Sequence, residues 1–158
     1  MRSVLIFLLG GILGMAFGIA VAVFAYPFVF PPPPANEQVS EAERVGLVAK
    51  GVFIHAEPSD PLHYGQGDVV VYQKLVHLTK NFKVGPGPKF HVYLSPKAGI
   101  RSSADFSSAD SLDLGRLRAF EGSQKYSVPA GTDLSKYKSV VIWCEQFSVL
   151  VSPADLVR

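Results

Sequence analysis

Apolar residues fill the start of the chain and then break into short alternating runs. No charged residue occurs from Ser3 to Phe30. A helix crossing the hydrocarbon core needs ~20 apolar residues, so this run predicts one transmembrane helix with room to tilt. Pro27 and then Pro31 to Pro34 close it. Consecutive prolines hold an extended left-handed spacer without internal hydrogen bonds, which reads as a stiff stalk. Ala35 to Arg44 is polar, and Ser40 with Glu43 fits a capping box and predicts a single helical turn.

From Gly46 onward the pattern is that of strands. Val69 to Tyr72 is β-branched and aromatic, and apolar character continues through Leu75, Val76 and Leu78. Phe90, Val92 and Leu94 alternate with His91, Tyr93 and Ser95, a period of two. Ser139 to Cys144 predicts a strand buried on both faces, since Val140, Ile142 and Cys144 share one face and Val141 and Trp143 the other. Phe147, Val149 and Val151 alternate with Ser148 and Ser152 and predict a further strand. Asn81, Gly85 to Pro88, Gly99, Gly122 and Pro129 to Gly131 punctuate these runs. Ile100 to Leu112, rich in Ser, Ala and Asp, predicts a long loop. The fold class expected is all-β, an antiparallel β-sandwich or a small partly open barrel, preceded by one transmembrane helix. The chain divides into an anchor over residues 1–30, a proline-rich and polar linker over 31–46, and a β domain over 47–158.

Only Arg2 precedes the apolar run, while the region after it carries charges of both signs. The positive-inside bias places the N-terminus in the cytoplasm and the β domain outside, periplasmic or extracellular, at the cell membrane. The competing expectation is a cleaved signal peptide, for which Ala20 to Ala22 and Phe24-Ala25 offer small residues; the apolar run is longer than the ~7–15 residues of a signal core. Gly10, Gly14, Gly18 and Ala22 recur every fourth residue and line one helix face, as in the close helix contacts of membrane dimers. The partners expected are the lipid bilayer through residues 3–30, a second copy of the chain, and a redox or other protein partner.

Lys and Arg number 15 against 13 Asp and Glu, for a net charge of +2. The basic residues are scattered and form no stripe, so nucleic acid is not an expected partner. With a single cysteine, the domain must hold by packing and not by intrachain disulfides.

That cysteine, Cys144, is the sharpest chemical feature. It is an inert core residue, a redox thiol, a metal or haem ligand, or a link to another chain. The histidines are His55, His63, His77 and His91, and two of them with Cys144 would make a metal set. Met1 and Met15 sit at the start and in the anchor, which speaks against a blue-copper site with an axial methionine. One thiol excludes a four-cysteine zinc or iron–sulfur centre, and no Cys-x-x-Cys-His motif occurs for covalent haem. Non-covalent haem or a metal ion remains open, and the cofactor is unassigned. No Gly-x-Ser-x-Gly elbow or His-Glu-x-x-His helix occurs, so no complete catalytic set is visible. Asp60, Asp68, Asp110 and Asp113 lie in polar segments, where Asp serves turn hydrogen bonds. Gly85 to Pro88 is no phosphate cradle, since two of its residues lack an N–H.

The segment from Tyr137 to Leu150, with Trp143 and Cys144 at its centre, resembles the signature of the DM-thirteen domain, the electron-transfer DM-thirteen family. Further matches follow the family's order: Gly51 to Phe53, His63 before Gly65 or Gly67, Asn81-Phe82, Gly87-Pro88, His91 to Ser95, Leu114 to Leu117, Gly122 to Gln124, Tyr126, and Pro129 to Gly131. The resemblance covers about Val48 to Leu156. It implies an extracytoplasmic all-β module with a redox or electron-transfer role centred on Cys144, for which His63, His91 and Trp143 are the candidate neighbours. Lys89 stands where the family pattern has an acidic residue, and Lys125 where it has Asn. Both changes argue against carboxylates near His91 holding a cation. The alternative function is a non-enzymatic binding or scaffolding domain in which Cys144 only packs.

Overall fold

The structure is a computed structural model that describes residues 2–158; Met1, the first residue of the expected anchor, lies outside them, as does the side chain of Phe24. Helix α1 runs over Arg2–Val29. Ten strands follow: β1 Ala35–Asn36, β2 Leu47–Phe53, β3 Gly65–Tyr72, β4 Leu75–Leu78, β5 Lys83–Val84, β6 Phe90–Ser95, β7 Leu112–Arg116, β8 Gly122–Ser127, β9 Ser139–Cys144 and β10 Val149–Val157.

The strands form one curled sheet in the order β1-β8-β4-β3-β2-β10-β9-β6-β7, with β5 added beside β3. Only β1 pairs in parallel, with β8; the remaining pairs are antiparallel. The result is a half-barrel, so of the two expected forms the partly open barrel describes the sheet. Its concave face holds the main core, which includes Phe53, Val69, Leu78, Phe82, Phe90, Val92, Ile142 and Cys144. Each such apolar side chain contributes ~1.5–3 kcal/mol when taken out of water.

The expected two-sided burial of β9 holds for all six residues. The long loop between β6 and β7 is the cause. It lays Ile100 and Phe106 over Tyr93, Val141, Trp143 and Leu150 on the convex face. Leu150 N–H donates to Ser103 Oγ at 2.9 Å and ties the loop to β10. Phe147 departs from expectation: it lies in the turn between β9 and β10, with Ser148 in a left-handed backbone conformation, and β10 starts at Val149. A four-residue reversal, Glu145 to Ser148, cannot continue the strand alternation that Phe147 suggests.

The Ser40–Glu43 box forms as expected. Ser40 N–H donates to Glu43 Oε2 at 2.8 Å, and Glu43 N–H donates to Ser40 Oγ at 3.4 Å. Helix α1 is long and apolar enough to cross a membrane, and none of the stretch Arg2–Val23 is buried against the rest of the chain. Those properties fit a membrane anchor and equally a signal sequence.

Candidate functional site

Strand alternation decides what meets Cys144. On β9 the side chains of Val140, Ile142 and Cys144 join the core on the concave face, while Val141 and Trp143 join the cluster on the convex face. In the register, Cys144 lies opposite Phe90 and Trp143 opposite His91. Cys144 therefore has Phe90 as its cross-strand neighbour, and His91 and Trp143 lie on the other side of the sheet.

The Cys144 residue is completely buried. Its Sγ donates to the Pro88 carbonyl at 3.4 Å. Burial pushes the thiol pKa up and the Glu145 charge adds to this, against a smaller pull from the N–H groups of Phe147 and Gln146. The thiol is accordingly protonated at neutral pH, and the thiolate is the nucleophilic form.

Polar chemistry gathers on the convex face instead. His91 leaves β6, Asp113 leaves β7, and Glu145 follows the last residue of β9. A bulge between β6 and β7, where Gly115 has φ 111°, sets Asp113 opposite Tyr93 and so on the same face as His91. His91 Nδ1 lies 3.0 Å from Asp113 Oδ2, and His91 Nε2 lies 3.6 Å from Glu145 Oε2. Tyr93 OH donates to Glu145 Oε1 at 2.7 Å, and Gly115 N–H donates to Asp113 Oδ1 at 2.7 Å. Lys89 Nζ lies 3.5 Å from Glu145 Oε2. The Tyr93 hydrogen bond, helped by His91 and Lys89 and opposed by partial burial, holds the Glu145 carboxyl below its ordinary range. Burial and the same bond to Glu145 push the Tyr93 phenol up, which keeps it a donor.

Among the described residues, the group of His, Cys, Asp and Glu side chains spaced to share a cation is His91, Asp113 and Glu145; Cys144 is not in it. His63 belongs elsewhere. Its Nδ1 meets Asp60 Oδ2 at 2.6 Å in the loop between β2 and β3. Against the cost of burial, hydrogen bonds from His63 and from Leu62 N–H hold the Asp60 carboxyl below its ordinary range. Trp143 packs against Phe106 with ring centroids 4.6 Å apart and the rings tilted by 43°. Gly10, Gly14 and Gly18 lie along α1 with open space beside each, and Ala22 is exposed on the same helix.

Sequence reasoning reached His91 but not its partners. Asp113 reads as a turn residue until the bulge turns it, and Glu145 is masked by its neighbour Cys144. The usable signals were the Leu112-Asp113-Leu114-Gly115 alternation ending in glycine and the opposed faces of Cys144 and Glu145.

The chain matches the family model Electron transfer DM13 over residues 59–156, a stretch that holds both Cys144 and the His91 cluster. No curated protein and no solved structure matches it. The family match spans β3 to β10, which includes every strand that positions Cys144, His91, Asp113 and Glu145, and by it this chain is a member of the Electron transfer DM13 family.

Proposed function

We propose that the protein is a membrane-anchored electron-transfer module working outside the cytoplasm, with Cys144 as its redox-linked residue. The observation that carries this is the family match over residues 59–156. Support for the anchor comes from the uncharged length of α1, and support for the orientation from the lone Arg2 ahead of it.

The burial of Cys144 sets the kind of chemistry available. A protonated, enclosed thiol is a poor nucleophile, so rapid thiol–disulfide exchange is not its task. The backbone of the Gly85 to Pro88 loop covers the thiol, which donates to the Pro88 carbonyl. Gly87 and Pro88 also line a surface cleft of about 500 Å³ that includes Phe90, Phe120, Arg116 and residues at the end of α1. Opening of this loop exposes the sulfur to a small oxidant.

The full chain in detergent, treated with hydrogen peroxide while folded, tests the reading. Oxidation converts R–SH and H2O2 to R–SOH and water, and excess dithiothreitol restores the thiol. The expected result is a reversible gain of one oxygen at Cys144 in the native protein, absent from Cys144→Ser. A thiol that reacts only after global unfolding sinks the redox role.

One observation favours a second reading: Cys144 is packed in the core among apolar side chains. On that reading the domain is a recognition module, and Cys144→Ser retains its partner binding. Such a domain, held near the membrane, would work through its exposed surface alone.

A further inference from the structure

We propose that His91, Asp113 and Glu145 form a binding site for one divalent first-row transition-metal ion, of the class of Zn(II). This goes beyond the redox reading of Cys144 and is independent of it.

His91 on β6, Asp113 on β7 and Glu145 just after β9 converge on one face of the sheet, with one coordinating atom of each within 4.8 Å of the others. Ligand atoms around a zinc-sized ion sit ~2.0–2.2 Å from the metal and so about 3–4 Å from one another. Small side-chain rotations close the remaining gap. The 3.6 Å between His91 Nε2 and Glu145 Oε2 is too long for a hydrogen bond and close to the separation of two ligands on one ion.

The surroundings orient the donors. Asp113 holds His91 Nδ1 at 3.0 Å, the carboxylate–imidazole arrangement that aims the other ring nitrogen at a metal. Asp113 is itself fixed by Gly115 N–H, and Glu145 Oε1 by Tyr93 OH, so Glu145 Oε2 is the oxygen left facing the imidazole. Water fills the outer positions, since the His91 side chain is 17% exposed and that of Glu145 26% exposed. An imidazole and a carboxylate as direct ligands, with Asp113 behind the ring, suit zinc, iron, nickel or copper better than calcium or magnesium, because nitrogen ligands favour those ions.

Lys89 is the competing cation. Its ammonium lies 3.5 Å from the same Glu145 oxygen, and its backbone is held in the left-handed region at φ 54°. Binding displaces this ammonium toward solvent, where it is already half exposed. The lysine argued from sequence against a cation here; the structure supplies carboxylates from Asp113 and Glu145 that the sequence pattern did not bring together.

Calorimetric titration of the full chain in detergent with Zn(II) tests the site. The expected result is one equivalent bound, weakened at least tenfold in His91→Ala and in Glu145→Gln and ~10–100-fold in Asp113→Asn. Lys89→Gln should bind more tightly than wild type, an outcome that a merely structural ion network does not produce. Circular dichroism melts confirm that each variant is folded. Equal binding by wild type and His91→Ala overturns the proposal, as does no binding by wild type and Lys89→Gln alike. Cys144→Ser should bind as wild type does; lost binding there places the ion on the sulfur and also overturns it. Failure of the Cys144 oxidation experiment leaves these titrations unchanged, so the two ideas fail separately.

Discussion

Trp143 and Cys144 are consecutive in the chain, yet the first packs against Phe106 outside the sheet and the second is sealed within the core. The two side chains therefore report on different compartments of the same domain. Trp143→Ala should cost ~3–5 kcal/mol by emptying a large buried site under the β6–β7 loop, read by denaturant melts. Trp143 is the only tryptophan, so its fluorescence in Cys144→Ser should match wild type. A large emission change there would contradict the opposed faces.

Gln124 is a buried polar side chain that ties the end of the β7–β8 connection to β8. Its Oε1 accepts from Arg118 N–H, Ala119 N–H and Tyr126 OH, and its Nε2 donates to Ala119 O at 2.8 Å. Gln124→Leu keeps the volume but leaves the Ala119 groups buried without partners. A loss of ~2–4 kcal/mol is expected, measured by urea unfolding, with Gln124→Glu not restoring the donor to Ala119 O.

Gly67 sits at φ 107°, and a Cβ there would lie 2.5 Å from Asn81 O and from Phe82 Cα. These are backbone atoms and cannot rotate aside. Gly67→Ala should therefore destabilise by at least ~2 kcal/mol. A neutral melting temperature for this variant would rule out the close approach of β3 to the β4–β5 turn.

His77 links pH to stability. Its pKa lies below the ordinary value of 6.5, first through burial and then through the Arg44 and Lys125 charges, with Glu37 and Glu43 opposing. Ser123 Oγ donates its proton to Glu37 O, so His77 Nε2–H must be the donor to Ser123 Oγ, 2.8 Å away. The folded state resists a second ring proton that the unfolded chain accepts. Stability from this group is full above the unfolded pKa and is lost as pH falls through the folded one. Melts between pH ~7.5 and ~5 should show this decline, and His77→Gln should flatten it.

Retention of α1 is open to direct measurement. The intact mass of protein extracted from membranes should include residues 3–30, and alkaline carbonate should not release it. A mature chain starting after Ala22 or Ala25 would make the segment a signal peptide and remove the anchor.

The amino-acid order alone determined the elements whose signal is local. The uncharged run from Ser3 to Phe30 specifies an apolar helix, the period of two at Phe90 to Ser95 specifies β6, and the doubly apolar run at Ser139 to Cys144 specifies a strand covered on both sides. The Ser40–Glu43 turn is equally local. Long-range register decided the rest. Periodicity tells which residues share a face but not which face turns inward, so the position of Cys144 required the pairing of β9 with β6 and β10. Strand β10 runs through Pro153, which has no N–H to donate; it holds because β2 pairs only with Leu156 and Val157. Asp113 meets His91 across a separation of 22 residues, through a bulge whose effect appears only once two strands are side by side. Contacts of that kind cost loop-closure entropy and are selected by the packing of the whole sheet, which no stretch of neighbouring residues encodes by itself.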